Sequence, residues 1–205
     1  MGTMKDSEKT KSRLIDSAGR LFAEKGFSAV TVREIAAAAD THLSALNYHF
    51  NSKAALYREV LMEACRSEAI SSEDKKALLK MDPKKALLLI IQESLKTYAQ
   101  QDDYPWQTLL LTRECKTPSQ EFEEIVETYI RPETDFTAQL IGKAVGKPGN
   151  DHSVKLAVLA MIGLIETFGL YDHLLEAVSP GFKDHFAQKN LLAKKILDLV
   201  LAAAD

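Results

Sequence analysis

The chain has 205 residues, 46% hydrophobic and 27% charged, with 9 Gly and 6 Pro; this allows one large or two smaller packed cores and is too apolar for extended disorder. The net charge of -3 excludes a surface that is basic throughout, although residues 1–60 hold nine Lys and Arg against seven Asp and Glu and the remainder seventeen against twenty-two, a weak basic bias at the N-terminal end. Two cysteines, Cys65 and Cys115, exclude a disulfide scaffold and match no metal spacing, which fits a reducing cytoplasm; no apolar run approaches about 18 residues and the N-terminus is charged, so neither export nor a membrane span is expected.

The pattern is helical from end to end, and an all-α fold is expected. Leu14, Ile15, Ala18, Leu21 and Phe22 recur at helical spacing, and Gly26 is a stop signal. Thr31 with Glu34 three residues on forms a capping box ahead of an alanine run that Asp40 closes. A short helix over roughly Leu43 to His49 follows, and Ser52 caps a long helix through Ala55, Leu56, Val60, Leu61 and Ala64. Asp82-Pro83 opens another. Pro105 suits a first helical residue, Pro118 starts a further helix, and Pro132 should kink or break it near Arg131. The stretch 146–150 is a loop, Asp151 caps a very apolar helix from Val154 to Leu175, and Ser179-Pro180-Gly181 separates it from a last helix ending near Leu201.

Between the second and fourth helices lies "DTHLSALNYHFNSK", too short and polar for a core helix yet rich in aromatic and imidazole rings. Two short helices about three residues apart after a longer one make a helix-turn-helix, whose last helix is offered to the major groove. Leu43, Leu46 and Phe50 then face inward. Ser44 and Ala45 let the backbone approach DNA, while His42, Asn47, Tyr48 and His49 supply donors for phosphates and base edges.

On these residues the chain resembles a known family. Residues 31–61, "TVREIAAAADTHLSALNYHFNSKAALYREVL", with "RLIDSAGRLFAEKGFSAVTV" upstream, resemble the DNA-binding domain of the TetR family of bacterial transcriptional regulators. Asp40 stands where that family usually has Gly. The stretches "LLLTRECKTPSQEFEEIVETYIRPETDFTAQLIG" and "NDHSVKLAVLAMIG" resemble the regulators grouped with CecR. The resemblance implies a DNA-binding domain over 8–52 and an effector-binding and dimerisation domain over 53–205. It implies phosphate contacts from Thr31 and Lys53 at helix starts, base edges near Arg33, His42, Ser44, Ala45 and Asn47, Tyr48 and His49 on backbone or thymine methyls, and a further DNA contact from Thr41. Tyr48 could instead pack against the helix beginning at Lys53. It also implies a homodimer sealed by the last two helices of each chain, and hence a palindromic operator on double-stranded DNA.

No enzyme is indicated. His42 and His49 are too far apart on a helix to share a metal, His152, His173 and His185 are scattered, and no nucleophile turn or phosphate loop occurs, so neither metal nor cofactor is expected. A small-molecule effector is expected among the central aromatic residues and isolated polar groups: Tyr98, Trp106, Leu110, Arg113, Glu114, Phe136, Gln139, Glu166 and Tyr171. Glu166 is the sharpest, because a carboxylate inside the apolar run "LAVLAMIGLIETFGLY" needs a partner, a dimer mate or a ligand. Cys65 and Cys115 read as small buried hydrophobes, and the alternative to a small effector is control by a partner protein or by thiol oxidation.

Overall fold

A computed structural model describes residues 2–99, 105–181 and 191–205, the side chains of 2–5, 97–99 and 172 excepted. Twelve helices are described: α1 (Gly2–Lys25), α2 (Val32–Ala38), α3 (Leu43–Phe50), α4 (Lys53–Glu68), α5 (Ser72–Leu78), α6 (Pro83–Ala99), α7 (Trp106–Lys116), α8 (Phe122–Ile125), α9 (Arg131–Val145), α10 (His152–Leu170), α11 (Asp172–Val178) and α12 (Leu191–Ala204). A π-helical turn, Val126–Ile130, precedes α9. No strand occurs among the described residues, in keeping with the all-α expectation.

The chain packs as two units, Met1–Ala69 with Pro105–Ile130, and Ile70–Tyr104 with Arg131–Asp205. This differs from a division at 52/53. The reason lies in α4, whose Leu56, Tyr57, Val60, Leu61 and Ala64 are buried in the same core as Leu14, Ala18 and Phe22 of α1 and Leu110 of α7.

In the first unit, Leu14, Ala18 and Phe22 stand four residues apart and are fully buried, so one stripe of α1 supplies its contribution to the core. Gly26 ends α1 with φ +82, a conformation that L side chains disfavour. Its N–H donates to the Phe22 carbonyl at 2.9 Å. The capping box at α2 is complete: Thr31 Oγ1 accepts from Glu34 N, and the Glu34 carboxylate accepts from Thr31 N. At the other end, Asp40 N donates to the Ala37 carbonyl and Thr41 N to that of Ala36, with Asp40 at φ 47, a Schellman closure built on a non-glycine residue. Ser52 caps α4 by accepting from Ala55 N at 3.1 Å. Pro105 is the cap before α7 rather than its first residue.

Pro118 does not open a helix; α8 begins four residues later. Ser119 is held first, its N–H and hydroxyl both donating to the Glu114 carboxylate at 3.1 and 2.7 Å. Pro132 leaves its mark as a π turn immediately before α9, where an unaltered α-helical register would lack the proline N–H.

The second unit contains α5, α6 and α9–α12 about Leu87, Ile91, Leu140, Ile141, Val154, Ala157, Ile196 and Val200. The helix α5, absent from the sequence reading, is capped by Ser71 and is only seven residues long with no buried residue, so it has no apolar stripe to announce it. Asp151 caps α10 through Ser153 N at 2.8 Å. The helix stops at Leu170 rather than Leu175, where Tyr171 leaves helical geometry (φ -116, ψ 34) after Gly169. The last helix runs to Ala204 rather than Leu201; residues 182–190, and the Tyr98 side chain, lie outside the described residues.

The expectation that no apolar run approaches about 18 residues does not hold for α10. By length and composition α10 is apolar enough to cross a bilayer, with only Lys155 and Glu166 charged in nineteen residues. It packs against α6, α9 and α12, yet Leu156, Leu159 and Ile162 remain exposed on it.

Candidate nucleic-acid interface

The recognition candidate α3 has two distinct faces. Leu46 and Phe50, four residues apart, are 0% and 3% exposed and join the core with Ile35 of α2 and Ala39 at its C-terminal cap. His42, Ser44, Asn47 and Tyr48 are exposed, Tyr48 to 79%, and Thr41, Ala45 and His49 are half-buried. Tyr48 therefore does not pack against α4; its ring lies edge-on to His49 at 5.1 Å. Leu43, expected inside, is 38% exposed, because the first turn of α3 projects beyond the small core that Leu46 and Phe50 reach. Arg33 is exposed on α2. Arg33, His42, Ser44, Asn47 and Tyr48 are thus all exposed along the α2–α3 segment.

The two helix-start residues are differently placed. Thr31 donates both its N–H and its hydroxyl to Glu34 Oε2, each at 2.8 Å. Those bonds, backbone first, together with Lys25, hold the Glu34 carboxyl below its ordinary range. Lys53 is half-buried, and its ammonium donates to the carbonyls of Phe27 and Val30 at 2.8 Å each.

A residue that the sequence reading passed over supports the turn between α2 and α3. Arg13 of α1 donates to the carbonyls of Ala39 and Asp40, the latter at 2.7 Å, and to the Asp40 carboxylate at 3.3 Å. The available signal was an aspartate in a turn position that favours glycine.

The effector candidates divide between the units. In the first, Trp106 lies against Gly19 and donates from Nε1 to Asp16 at 2.9 Å. Leu110 is fully buried, and the Arg113 guanidinium covers Gly26. Glu114, 3% exposed, accepts from Tyr57 Oη at 2.5 Å and from both donors of Ser119. Burial and that carboxylate push the Tyr57 hydroxyl well above its ordinary pKa. These four are engaged in holding α7 in its unit. In the second unit Phe136 is buried, Glu166 is half-buried rather than enclosed, and Tyr171 is 43% exposed. Gln139 lines an open groove of about 440 Å³ with Asp135, Ala138, Lys143, Asn150 and Lys155. Cys65 is buried and its thiol is pushed up to about 11, chiefly by desolvation. Cys115 is exposed, against the expectation that both thiols are buried.

Residues 14–60 match the bacterial regulatory proteins of the tetR family, and residues 83–204 match the C-terminal domain of the HTH-type transcriptional dual regulator CecR. CecR of Shigella flexneri is 30% identical over 174 residues, 80% of this chain and 77% of that one. The probable HTH-type transcriptional regulator YttP of Bacillus subtilis (strain 168) is 30% identical over 132 residues, 64% of this chain and 62% of its own length. A TetR-family regulator from Bordetella parapertussis 12822 shares the fold, with a TM-score of 0.66 at 20% identity over 93% of each chain. With a helix-turn-helix at one end and the CecR-type domain over more than half its length, the chain belongs to the TetR family of DNA-binding transcriptional regulators, which are not enzymes.

Proposed function

We propose that the chain is a cytoplasmic homodimeric repressor that reads a palindromic operator with α3 and leaves it when a small, mainly apolar effector binds the second unit. The observation that carries the DNA half is the two-faced α3, anchored by Leu46 and Phe50 and presenting Ser44, Asn47 and Tyr48 outward. Eight helical residues span ~12 Å, a length suited to the major groove. In this reading Arg33, His42, Ser44, Ala45 and Asn47 lie nearest base edges, Tyr48 and His49 meet backbone or thymine methyls, Thr41 makes a further DNA contact, and Thr31 meets a phosphate.

The dimer reading rests on exposed apolar side chains on two helices that pack together: Leu156, Leu159 and Ile162 of α10 and Leu199 of α12. A two-fold pair would set its α3 helices ~34 Å apart and so require a two-fold operator. The effector reading rests on Phe136, Gln139, Glu166 and Tyr171, a mixed apolar and polar set within one unit. Coupling of effector to DNA would be about 1–3 kcal/mol and reciprocal, so operator DNA must weaken effector binding by the same factor.

The testing experiment is footprinting of the purified protein on its own upstream intergenic DNA across a salt series. A protected palindrome that outcompetes random DNA supports the reading; protection without preference removes sequence-specific regulation at that site. The exposed Cys115 favours one second reading, control by thiol oxidation without a small effector. Cys115→Ser abolishes an oxidant response in that case and leaves an effector response intact in the first.

A further inference from the structure

Lys53 is the first residue of α4, the position at which a lysine is expected to meet a DNA phosphate. Its ammonium points the other way in bonding terms. It donates to the carbonyls of Phe27 and Val30 at 2.8 Å each and lies 4.3 Å from the centre of the Phe27 ring. Both carbonyls belong to the turn joining α1 to α2, which lacks a helix's own donors. Val30 is 1% exposed, and the next residue, Thr31, is the cap of α2. The Phe27 ring is itself held, 4.8 Å from the ring of Tyr57, whose hydroxyl is bonded to Glu114. A primary ammonium has three donors, and two are taken here by part-buried oxygens that lose their partner if the side chain swings out.

We propose that Lys53 serves DNA binding as a positioning residue, locking the α1–α2 turn against the start of α4 and so setting the placement of α2 and α3, and not as a phosphate ligand. The proposal rests on α3 being the DNA-reading helix. The mechanism is mechanical. Two charge-assisted hydrogen bonds and a cation–π contact fix the entry of α2, and α2 carries α3 through the core of Ile35, Ala39, Leu46 and Phe50. Withdrawing the ammonium loosens the helix pair before any DNA arrives.

The two roles differ in salt dependence. A phosphate ligand lost from each protomer flattens the slope of log K against log salt by about 0.9 per phosphate, or about 1.8 per dimer. Loss of a positioning contact weakens specific binding without that change. The experiment compares the full-length protein with Lys53→Met, which keeps the stem over Phe27, and Lys53→Gln, which keeps N–H donors but not the charge. Each is assayed on the footprinted operator and on random DNA from 50 to 200 mM salt, with amide hydrogen exchange on the DNA-free protein. The expected result is a loss of about tenfold or more in operator affinity for Met, part of it restored by Gln, with unchanged slopes and faster exchange over residues 27–35. Equal losses for Met and Gln with slopes flatter by about 1.8, and exchange unaltered, overturn the proposal. If Met fails to fold, the Gln slope alone decides. If the wild-type protein shows no operator preference, the DNA reading itself fails; faster exchange in Lys53→Met would still report the brace, which separates the two failures.

Discussion

Arg13 in α1 and Asp40 after α2 are joined both through the backbone and through the side chains: one guanidinium nitrogen reaches the Asp40 carbonyl at 2.7 Å and its carboxylate at 3.3 Å. Asp40 sits at φ 47 in the turn that leads into α3. Arg13→Ala removes the brace from two carbonyls and should cost about 1–2 kcal/mol in urea unfolding. Asp40→Gly relieves a left-handed aspartate worth about 1 kcal/mol and loses an exposed ion pair worth about 0–1 kcal/mol, so it should be close to neutral. In the double variant the Arg13→Ala cost should persist, because the carbonyl bonds do not need the carboxylate. Disappearance of that cost would show that the ion pair alone is the brace.

The capping box gives a pH signature. Glu34 has its folded carboxyl pKa lowered from 4.5, first by the Thr31 backbone bond, then by the Thr31 hydroxyl and Lys25. A lowered folded pKa means stability that is fully present above about pH 4.5 and is lost as pH falls through the lower folded value. Glu34→Gln should therefore lower the melting temperature at pH 7, and the gap to wild type should shrink below pH 4.5. A gap constant from pH 7 to 3 would mean that the charge is not what matters there.

Trp106 is the only tryptophan in the chain, which makes its contact with Gly19 readable by fluorescence. A methyl group on Gly19 would meet the indole ring at 2.4 Å. Gly19→Ala should displace the ring, break its bond to Asp16, shift the emission and cost about 1–3 kcal/mol as overpacking. Unchanged emission and stability would mean that α7 yields without resistance.

Asn47 and Phe50 share α3, but Asn47 is exposed and Phe50 is buried. Asn47→Ala should leave folding intact and relax discrimination at one base pair by about 1–3 kcal/mol. Phe50→Ala should cost about 3–5 kcal/mol of stability before DNA is considered. Equal losses for Asn47→Ala on operator and random DNA would remove it from the reading set.

Leu159 is 65% exposed on α10. Leu159→Lys should convert the protein to a monomer in sedimentation, at unchanged helix content, and abolish cooperative occupation of two half-sites. A variant that stays dimeric would place the seam on another face.

Much of the first unit was legible because its signals are local. Thr31 with Glu34, Ser52, Gly26 and the spacing of Leu14, Ala18 and Phe22 act within a few residues, and the structure uses each as the sequence suggests. What escaped depends on distant partners. Lys53 reads as an exposed helix-start cation until the Phe27 and Val30 carbonyls are in place, and Glu114 reads as a pocket residue until Tyr57 and Ser119 close around it. Leu43 was misjudged for a different reason. Helical spacing identifies a stripe, but the length of the partner surface decides how far along the helix that stripe stays covered. The apolar span of α10 was underestimated because its two charges, Lys155 and Glu166, interrupt the run without altering its average character.

The bond between Tyr57 and Glu114 has a consequence for how this chain can be recombined with its relatives. Because α7 and α8 share a core with α1–α4, the part that reads DNA is discontinuous in sequence, with natural seams after Ala69, before Pro105 and after Ile130. A chimera cut at a single point after α4 would strand α7 against a foreign surface, leaving Glu114 without the Tyr57 hydroxyl it was shaped around. A transplant of operator preference should therefore carry two segments, or else confine itself to the outward side chains of α3 and leave the graft's supporting core untouched.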